Sequence, residues 1–179
     1  YVLVDFWENE SKQAISKGLD CLLNAGYKPI LAHAERYVKL NGDIKFLKSS
    51  LIAHRGVYNN GEGFIENTIP AFKKAIEYGY IIELDVHVIK DNTVVVFHDD
   101  NIKRLTGIDK KLKYCTYEEL KDISLGQTNE TIPTLTEVLK YINGKVPVII
   151  ELKYDRRLGI LEKEVMKILK EYKGEYAIQ

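Results

Sequence analysis

The 179-residue chain has very few cysteines and no excess of charge of either sign. Cys21 and Cys115 are far apart and share no motif, which favours buried thiols and a reducing compartment over a disulfide framework. The chain carries 26 Lys plus Arg against 26 Asp plus Glu. Because nucleic-acid-binding proteins usually show a basic excess, we expect no nucleic-acid partner.

Long hydrophobic runs are also absent. No apolar run approaches the roughly 20 residues needed to cross a bilayer, so we expect no transmembrane segment. The first residues lack a signal-peptide pattern, although the chain begins with Tyr1 rather than Met, so a leader could have been removed. Together with the scarce cysteine, this predicts a cytoplasmic protein. Apolar residues make up 45% of the chain, which is enough for a hydrophobic core.

A short apolar run followed at once by ionisable residues recurs along the chain. Runs rich in Val and Ile are typical of buried strands, and helical patterns lie between most of them. The alternation predicts an α/β fold with a mainly parallel sheet. Ionisable residues at the carboxyl ends of such strands are typical of a TIM-type barrel. The predicted strands begin at Tyr1, Pro29, Leu51, Ile81, Val94, Val146 and Tyr176.

Apolar residues at helical spacing predict helices between these strands. Pro70 in the first turn and Gly79 just past the end mark one helix clearly. Thr116, with Glu119 three residues later, predicts a capping box at the start of another. The predicted helices span residues 9–25, 68–78, 116–123, 134–142 and 158–172.

The fourth and fifth strands are joined by a connection too short for a helix. We interpret it as a tight hairpin centred between Asp91 and Asn92. In that register Asp85 on one strand and His98 on the other are direct cross-strand neighbours. A longer loop would change this register.

Two acidic residues share one face of the fourth strand. Side chains alternate between the faces of a strand, so Glu83 and Asp85 point the same way. An acidic pair on a buried strand is costly unless something neutralises it. A divalent cation such as Ca²⁺ or Mg²⁺ takes carboxylate oxygens, and Glu151 supplies a third carboxylate from another strand. The alternative is a salt-bridged pair with Arg55 and Lys153.

Two histidines, His54 and His98, follow different predicted strands. Phosphodiester hydrolysis needs a base for the nucleophile and an acid for the leaving alkoxide, and imidazoles are suited to both roles. Arg55 is suited to gripping two phosphate oxygens, and Lys153 to neutralising a phosphate. A lone histidine is more often a core residue than a catalyst. His87, on the acidic face of the fourth strand, keeps that plainer interpretation, as a residue that supports a neighbouring side chain or backbone group.

A series of short motifs follows one another over about 100 residues. They resemble, in order and spacing, the motifs of glycerophosphodiester phosphodiesterases. Ile65 and Asn92 depart from that pattern, where the family usually has Pro and Gly. The motifs are Ile52-Ala-His-Arg-Gly56, Glu66-Asn-Thr68, Ala71-Phe72, Glu83-Leu-Asp-Val86, Lys90-Asp91, Val96-Phe-His-Asp99, Arg104-Leu-Thr106, Ile132-Pro-Thr-Leu135 and Glu151-Leu-Lys153.

The resemblance implies a TIM-type barrel and a divalent-metal-dependent hydrolase. The implied substrate is a small-molecule glycerophosphodiester, which would be cleaved to glycerol 3-phosphate and an alcohol. The implied cofactor is Ca²⁺ or Mg²⁺. By the same resemblance, the site comprises His54 and His98 as the acid–base pair, Glu83, Asp85 and Glu151 as metal ligands, and Arg55 and Lys153 as phosphate contacts.

The first 50 residues resemble another family. Tyr1-Val-Leu-Val-Asp-Phe6 and the stretch from Gly26 to Tyr37 resemble part of the PHP-type metal-dependent tyrosine phosphatases of bacterial polysaccharide loci. His33 matches a metal ligand of that family, and Asp5 stands where the family has a ligand Glu. The other ligand-bearing strands of that family are missing, so we do not expect an active phosphatase here.

The expected architecture is an α/β, TIM-type (β/α) barrel that is incomplete or hybrid. Residues 1–50 form a PHP-like βα fragment, and residues 51–179 a partial barrel, since a full barrel takes about 250 residues. Either the N-terminal βα units replace missing barrel units, or the chain is a fragment or fusion. Two functional alternatives stay open: a related phospholipase-type phosphodiesterase, and a truncated non-catalytic remnant.

Overall fold

A computed structural model describes most of the chain beyond residue 50. The predictions made for Asp5, Cys21, His33 and the helix over residues 9–25 lie outside the described residues. The described ranges are residues 2–4, 29–31, 51–153 and 159–179.

Strands occur in the described residues where the apolar runs predict them, which confirms the strand assignment. Each begins within two residues of its predicted start, because short Val- and Ile-rich runs between turn residues are a local signal. The strands are β1 (Val2–Val4), β2 (Pro29–Leu31), β3 (Ile52–His54), β4 (Ile81–Val88), β5 (Val94–Val96), β6 (Val148–Leu152) and β7 (Tyr176–Ile178).

The predicted helices within the described residues are confirmed, with shorter ends. Gly79 closes the first of them in the left-handed conformation, with φ of 69°. Glu119 accepts a hydrogen bond from the Thr116 N–H at 2.8 Å, as a capping box requires. A one-turn helix at Lys103–Thr106 is too short to give a periodic signal and was not predicted. The helices are α1 (Ile69–Tyr78), α2 (Lys103–Thr106), α3 (Tyr117–Leu120), α4 (Leu135–Ile142) and α5 (Ile160–Leu169), with 3₁₀ turns at Asn60–Glu62 and Leu112–Tyr114.

The main sheet is parallel in the order β3-β4-β6-β7, and β5 pairs antiparallel with β4. Strand β4 pairs with β3 through its first residues and with β5 through its last, while β6 runs along its other edge. Strands β1 and β2 form a separate parallel pair. In the described part of the chain the main sheet is open at β3 and β7. The fold is therefore the expected α/β, TIM-type arrangement in incomplete form.

The predicted hairpin register is wrong by one residue. Val86 pairs with Val96, and the Phe97 N–H donates to the carbonyl of Asp85 at 3.0 Å, so Phe97 rather than His98 lies opposite Asp85. The turn has three residues instead of two, and its last residue, Asn92, has a φ of 64°. Asparagine tolerates this left-handed conformation, which suits a three-residue hairpin turn. His98 thus lies beyond the end of the ladder.

The predicted alternation of β4 is confirmed. Leu84 and Val86 pack into the core between the sheet and the helices, so Glu83, Asp85 and His87 point to the opposite face. Core residues on the helix side include Phe72, Val138, Leu139, Ile150 and Val165. A second apolar cluster forms around Phe97, Ile102, Leu112, Leu125 and Ile132.

The described residues also bear on the predictions for the cysteine at 115 and for transmembrane segments. Cys115 is a buried free thiol, as predicted, and burial raises its pKa. No helix among the described residues is long and apolar enough to cross a membrane.

Candidate active site

Three neighbouring parallel strands bring the predicted site residues to one edge of the sheet. In the β3–β4 ladder His54 lies opposite Glu83, and in the β4–β6 ladder Asp85 lies opposite Glu151. Because parallel strands end at the same edge, these side chains converge at their carboxyl ends. Glu83 and Asp85 are 6% and 0% exposed, so their charges are shielded from water.

Glu83, Asp85 and Glu151 form a carboxylate cluster. Each offers an oxygen, and these oxygens lie within 4.8 Å of one another. Burial, followed by the negative charge of Asp85 and that of Glu151, raises the pKa of Glu83 to about 8. Without a cation, the cluster therefore retains a proton on Glu83 at neutral pH, and its oxygen donors suit a hard divalent cation.

Two cations border the cluster. Arg55 Nε lies 3.3 Å from one oxygen of Asp85, and Lys153 Nζ lies 2.9 Å from the other. Lys153 also donates to Glu151. The salt-bridged alternative is thus realised for Asp85. Two cations do not offset three ionised carboxylates, however, and burial together with the nearby charges of Asp85 and Glu151 raises the pKa of Glu83.

The turn after β3 aims a backbone donor at Glu83. Arg55 has a φ of 59°, and its N–H donates both to the Glu83 carbonyl at 2.9 Å and to Glu83 Oε2 at 3.1 Å. Gly56 follows with a φ of 81°, and a Cβ at this position would lie 2.8 Å from the backbone of Ala71. The turn therefore requires glycine at residue 56.

Asn67 holds the buried carboxylate of Asp85 in place. Its amide Nδ2 donates to Asp85 Oδ2 at 2.9 Å, and its N–H donates to the carbonyl of Arg55 at 2.9 Å. Asn67 has a φ of 58°, a conformation that asparagine adopts more readily than most residues. Sequence reasoning gave Asn67 no role. The sequence signal that could have identified it is the polar pair Glu66 and Asn67, directly before the predicted helix over residues 68–78.

The two predicted catalytic histidines have different surroundings. His54 Nε2 lies 3.9 Å from Glu83 Oε2, at the carboxylate cluster. His98 Nδ1 lies 2.6 Å from Asp99 Oδ1. The buried His87 donates through Nε2 to the His98 carbonyl at 3.1 Å, and burial lowers the pKa of His87. His87 thus supports the backbone of a neighbour, as its plainer interpretation predicts.

A buried acid that sequence reasoning left without a role, Glu66, links several loops. It is 3% exposed and accepts hydrogen bonds from Arg55, Asn60 and Arg104 at 2.7 to 2.9 Å. Burial alone would raise the pKa of Glu66, but the hydrogen bonds from Arg104 and Asn60 and the nearby positive charges lower it to about 2. Glu66 is therefore ionised at neutral pH.

The structure brings six of the seven predicted site residues into one connected cluster. The seventh, His98, reaches it through the contacts of its neighbours: His87 on β4 and the Asp99–Arg104–Glu66 ion pairs. Such polar groups, buried and close together with perturbed pKa values, are typical of a catalytic site.

Comparison with known proteins gives two family matches. The model of the glycerophosphoryl diester phosphodiesterase family matches residues 54–176. A model described as capsular polysaccharide synthesis, CpsB/CapC, matches residues 1–61, in agreement with the resemblance of the N-terminal stretch to proteins of polysaccharide loci.

Curated relatives carry related names. A glycerophosphodiester phosphodiesterase of Caldanaerobacter subterraneus subsp. tengcongensis is 41% identical over 139 residues, which is 72% of this chain and 56% of the relative. A lysophospholipase D of Homo sapiens is 37% identical over 142 residues, which is 72% of this chain and 43% of the relative. The chain thus spans about half the length of the curated relatives it matches.

Solved structures are similar over the same part of the chain. The Thermotoga maritima glycerophosphodiester phosphodiesterase is 36% identical with a TM-score of 0.59, and the match covers 71% of this chain and 52% of that one. An Oleispira antarctica phosphodiesterase, solved with the product sn-glycerol-3-phosphate, is 29% identical with a TM-score of 0.63 and coverage of 71% and 54%. On these matches and the motifs above, the chain belongs to the glycerophosphoryl diester phosphodiesterase family.

Proposed function

We propose that this site hydrolyses glycerophosphodiesters to glycerol 3-phosphate and an alcohol. The observation that carries the proposal is the cluster of three carboxylates whose oxygens lie within 4.8 Å of one another, bordered by Arg55 and Lys153. A negative phosphodiester needs cations around its oxygens and a group that can take and return protons. Both are available beside this cluster.

Glu83, Asp85 and Glu151 would hold a divalent cation, Ca²⁺ or Mg²⁺. Their hard oxygen donors lie within 4.8 Å of one another, and the raised pKa of Glu83 means that the cluster favours a bound positive charge, here a proton; both support this assignment. When bound, the cation would stabilise the negative charge that develops on the phosphate oxygens.

Arg55 and Lys153 would bind the phosphate. Asp85 and Glu66 hold the Arg55 guanidinium from two sides, at 3.3 and 2.9 Å, so its orientation is set before a substrate arrives. Lys153 is a compact charge, and its side chain is 20% exposed at the edge of the cluster. A pre-oriented pair of cations lowers the cost of ordering the site around the substrate.

His54 and His98 would move the protons. One imidazole removes a proton from the nucleophile, which is either water or the glycerol 2-hydroxyl. The other donates a proton to the leaving alkoxide oxygen. The product complex of the Oleispira antarctica relative supports a reaction that ends in glycerol 3-phosphate.

The first test is hydrolysis of glycerophosphocholine by purified protein with Ca²⁺ or Mg²⁺, with EDTA and His54→Ala as controls. Glu83→Gln tests the metal site, and Glu118→Gln is its matched control because Glu118 is an exposed acid whose side chain is 79% accessible. We expect glycerol 3-phosphate only with metal, His54 and Glu83 present. Folded protein that releases no product under any of these conditions would overturn the proposal and leave the non-catalytic alternative.

A second candidate is a phospholipase-type phosphodiesterase, favoured by the human relative named lysophospholipase D. It shares the bond that is cleaved and differs in the group attached to the glycerol. Comparing choline release from lysophosphatidylcholine with that from glycerophosphocholine distinguishes the two. A kcat/KM higher for the lysophospholipid would favour this candidate.

We also propose that the chain divides near residue 50 into a PHP-like part and a phosphodiesterase part. The family matches over residues 1–61 and 54–176 support this division, as does the separate pairing of β1 with β2. The division predicts that Asp5→Asn and His33→Ala leave phosphodiester hydrolysis unchanged. A large loss of activity in either variant would show that the first part contributes to the site.

A further inference from the structure

A continuous series of charged contacts runs between the two ends of the site. His98 Nδ1 lies 2.6 Å from Asp99 Oδ1, and Asp99 accepts from Arg104 at 2.6 and 3.1 Å. Arg104 also donates to both oxygens of Glu66, at 2.7 and 2.9 Å, and Glu66 accepts from Arg55 at 2.9 Å. The loop after β5 is thereby tied to the turn after β3.

We propose that Asp99 and Arg104 are positioning residues for the hydrolysis, acting through His98. Asp99 fixes the tautomer and orientation of the His98 imidazole, and Arg104 holds Asp99 in place. This inference rests on the proposed function insofar as it concerns catalysis. The part that concerns the tautomer rests on the contact between His98 and Asp99 and does not depend on any activity.

The contact between His98 and Asp99 selects one tautomer. An ionised carboxylate only accepts hydrogen bonds, so the 2.6 Å contact requires a hydrogen on Nδ1 of His98. That leaves the Nε2 lone pair free to take a proton from a nucleophile, or to return one to a leaving group. Burial raises the pKa of Asp99, but hydrogen bonds from Arg104 and His98 outweigh it and lower the pKa overall. Asp99 therefore stays ionised.

Arg104 is suited to bridging two carboxylates. Its planar fork presents Nε and Nη2 to Asp99, and Nη1 and Nη2 to Glu66. A lysine has one compact ammonium and cannot reproduce both bidentate contacts. The Arg104 side chain is 43% exposed, whereas that of Glu66 is 3% exposed. Buried Glu66 thus holds the Arg104 guanidinium in place, and Arg104 in turn holds the Asp99 carboxylate.

The test is a double-mutant cycle. Asp99→Asn, Arg104→Gln and Arg104→Lys are measured alone and in a His98→Ala background, with glycerophosphocholine as the substrate. Lys103→Gln is the matched control, because Lys103 neighbours Arg104 on α2 and makes an exposed ion pair with Asp109 at 3.0 Å, outside this series.

If Asp99 and Arg104 act through His98, their effects disappear when His98 is removed. We expect Asp99→Asn to lower kcat about 10- to 100-fold, a typical cost for removing a partner that orients a functional histidine. The same change should alter kcat less than about 3-fold in the His98→Ala background. Arg104→Lys should recover only part of the loss seen with Arg104→Gln, and Lys103→Gln should have no effect. Equal losses in both backgrounds would overturn the proposal in favour of a purely structural role.

Nitrogen NMR of the imidazoles tests the geometry without any assay of activity. The wild-type protein should hold neutral His98 mainly with hydrogen on Nδ1, and Asp99→Asn should shift the population toward the other tautomer, because an amide can donate to Nδ1. An unchanged tautomer population in Asp99→Asn would overturn the proposal. If the wild-type protein hydrolyses nothing, the proposed function fails while the NMR result still decides the role of Asp99 toward His98.

Discussion

Replacing Glu83 with Gln should stabilise the metal-free protein and remove its stabilisation by metal. The raised pKa of Glu83, about 8 against an ordinary 4.5, sets the direction in which the stability of the folded protein changes with pH. Between these two values the folded protein keeps a proton that the unfolded chain has lost. Since stability falls with rising pH wherever the folded state binds more protons, the wild-type protein should lose stability from pH 4.5 to pH 8 and then level off.

The magnitude follows from the same values. Moving the pKa of one carboxyl from 4.5 to about 8 corresponds to a cost on the order of 5 kcal/mol at pH 8 and above. Relaxation of the site reduces this cost. We therefore expect Glu83→Gln to raise the free energy of unfolding by about 2 to 3 kcal/mol at pH 8 in EDTA. For a chain of this size that raises Tm by roughly 5 to 10 °C.

Metal should stabilise the wild-type protein more than the Glu83→Gln variant. At a concentration of 100 Kd, a cation that binds only the folded wild-type protein adds about 2.7 kcal/mol. The Glu83→Gln variant lacks one of the three carboxylates, so it should gain much less. The difference in stability should therefore depend on metal: the variant is the more stable protein in EDTA, and its advantage shrinks or disappears with Ca²⁺ or Mg²⁺.

The assay is thermal unfolding from pH 5.5 to 8.5, with EDTA or with added cation, on wild type, Glu83→Gln and the control Glu118→Gln. This pH range avoids the titration of Glu66, whose pKa of about 2 gives stability that is lost only as pH falls well below 4.5. The reasoning is refuted if Glu83→Gln is less stable than wild type in EDTA at pH 8, or if cation raises Tm equally in both.

Three further changes test other parts of the site. Gly56→Ala should destabilise the protein by about 2 to 4 kcal/mol in urea unfolding, because the added Cβ would lie 2.8 Å from the backbone of α1 and the residue has a φ of 81°. A change below about 0.5 kcal/mol would contradict the conclusion that the turn requires glycine. Asn67→Ala should weaken calorimetrically measured cation binding about 10- to 100-fold, because a buried carboxylate of the cluster loses its 2.9 Å donor; unchanged affinity would contradict that role. Lys153→Met should lower kcat/KM on glycerophosphocholine about 100-fold, while Lys167→Met, which removes an exposed lysine paired with its own helix, should not; equal effects would argue against a phosphate contact.

Local sequence signals sufficed for the strands, for all the described helices except α2 and for part of the site. The capping box at Thr116 and the left-handed cap at Gly79 depend on residues within one or two turns of each other, so they can be read without knowing the fold. The period-two alternation of β4 likewise placed Glu83 and Asp85 on one face, because a strand has no other way to present successive side chains.

The hairpin register shows where local signals were insufficient. A two-residue and a three-residue turn are both compatible with the residues around Asp91. A two-residue hairpin turn over Asp91 and Asn92 would need a positive φ at Asp91, whereas in this structure only Asn92 of the two has one. That one-residue difference moved His98 from a position opposite Asp85 to a position beyond the ladder.

The sequence by itself determined the strands, the caps, the carboxylates of one strand and the family. Only the tertiary structure decided which distant residues meet. Arg104 and Glu66 are 38 positions apart in the chain, and Asp85 and Asn67 are 18 apart. No periodic pattern links such pairs, because each contact depends on how the tertiary fold places a loop residue against a distant strand or helix. The reason is physical: backbone periodicity is set by neighbouring residues, whereas the pairing of buried charges is set by the low-polarity space that the whole fold encloses.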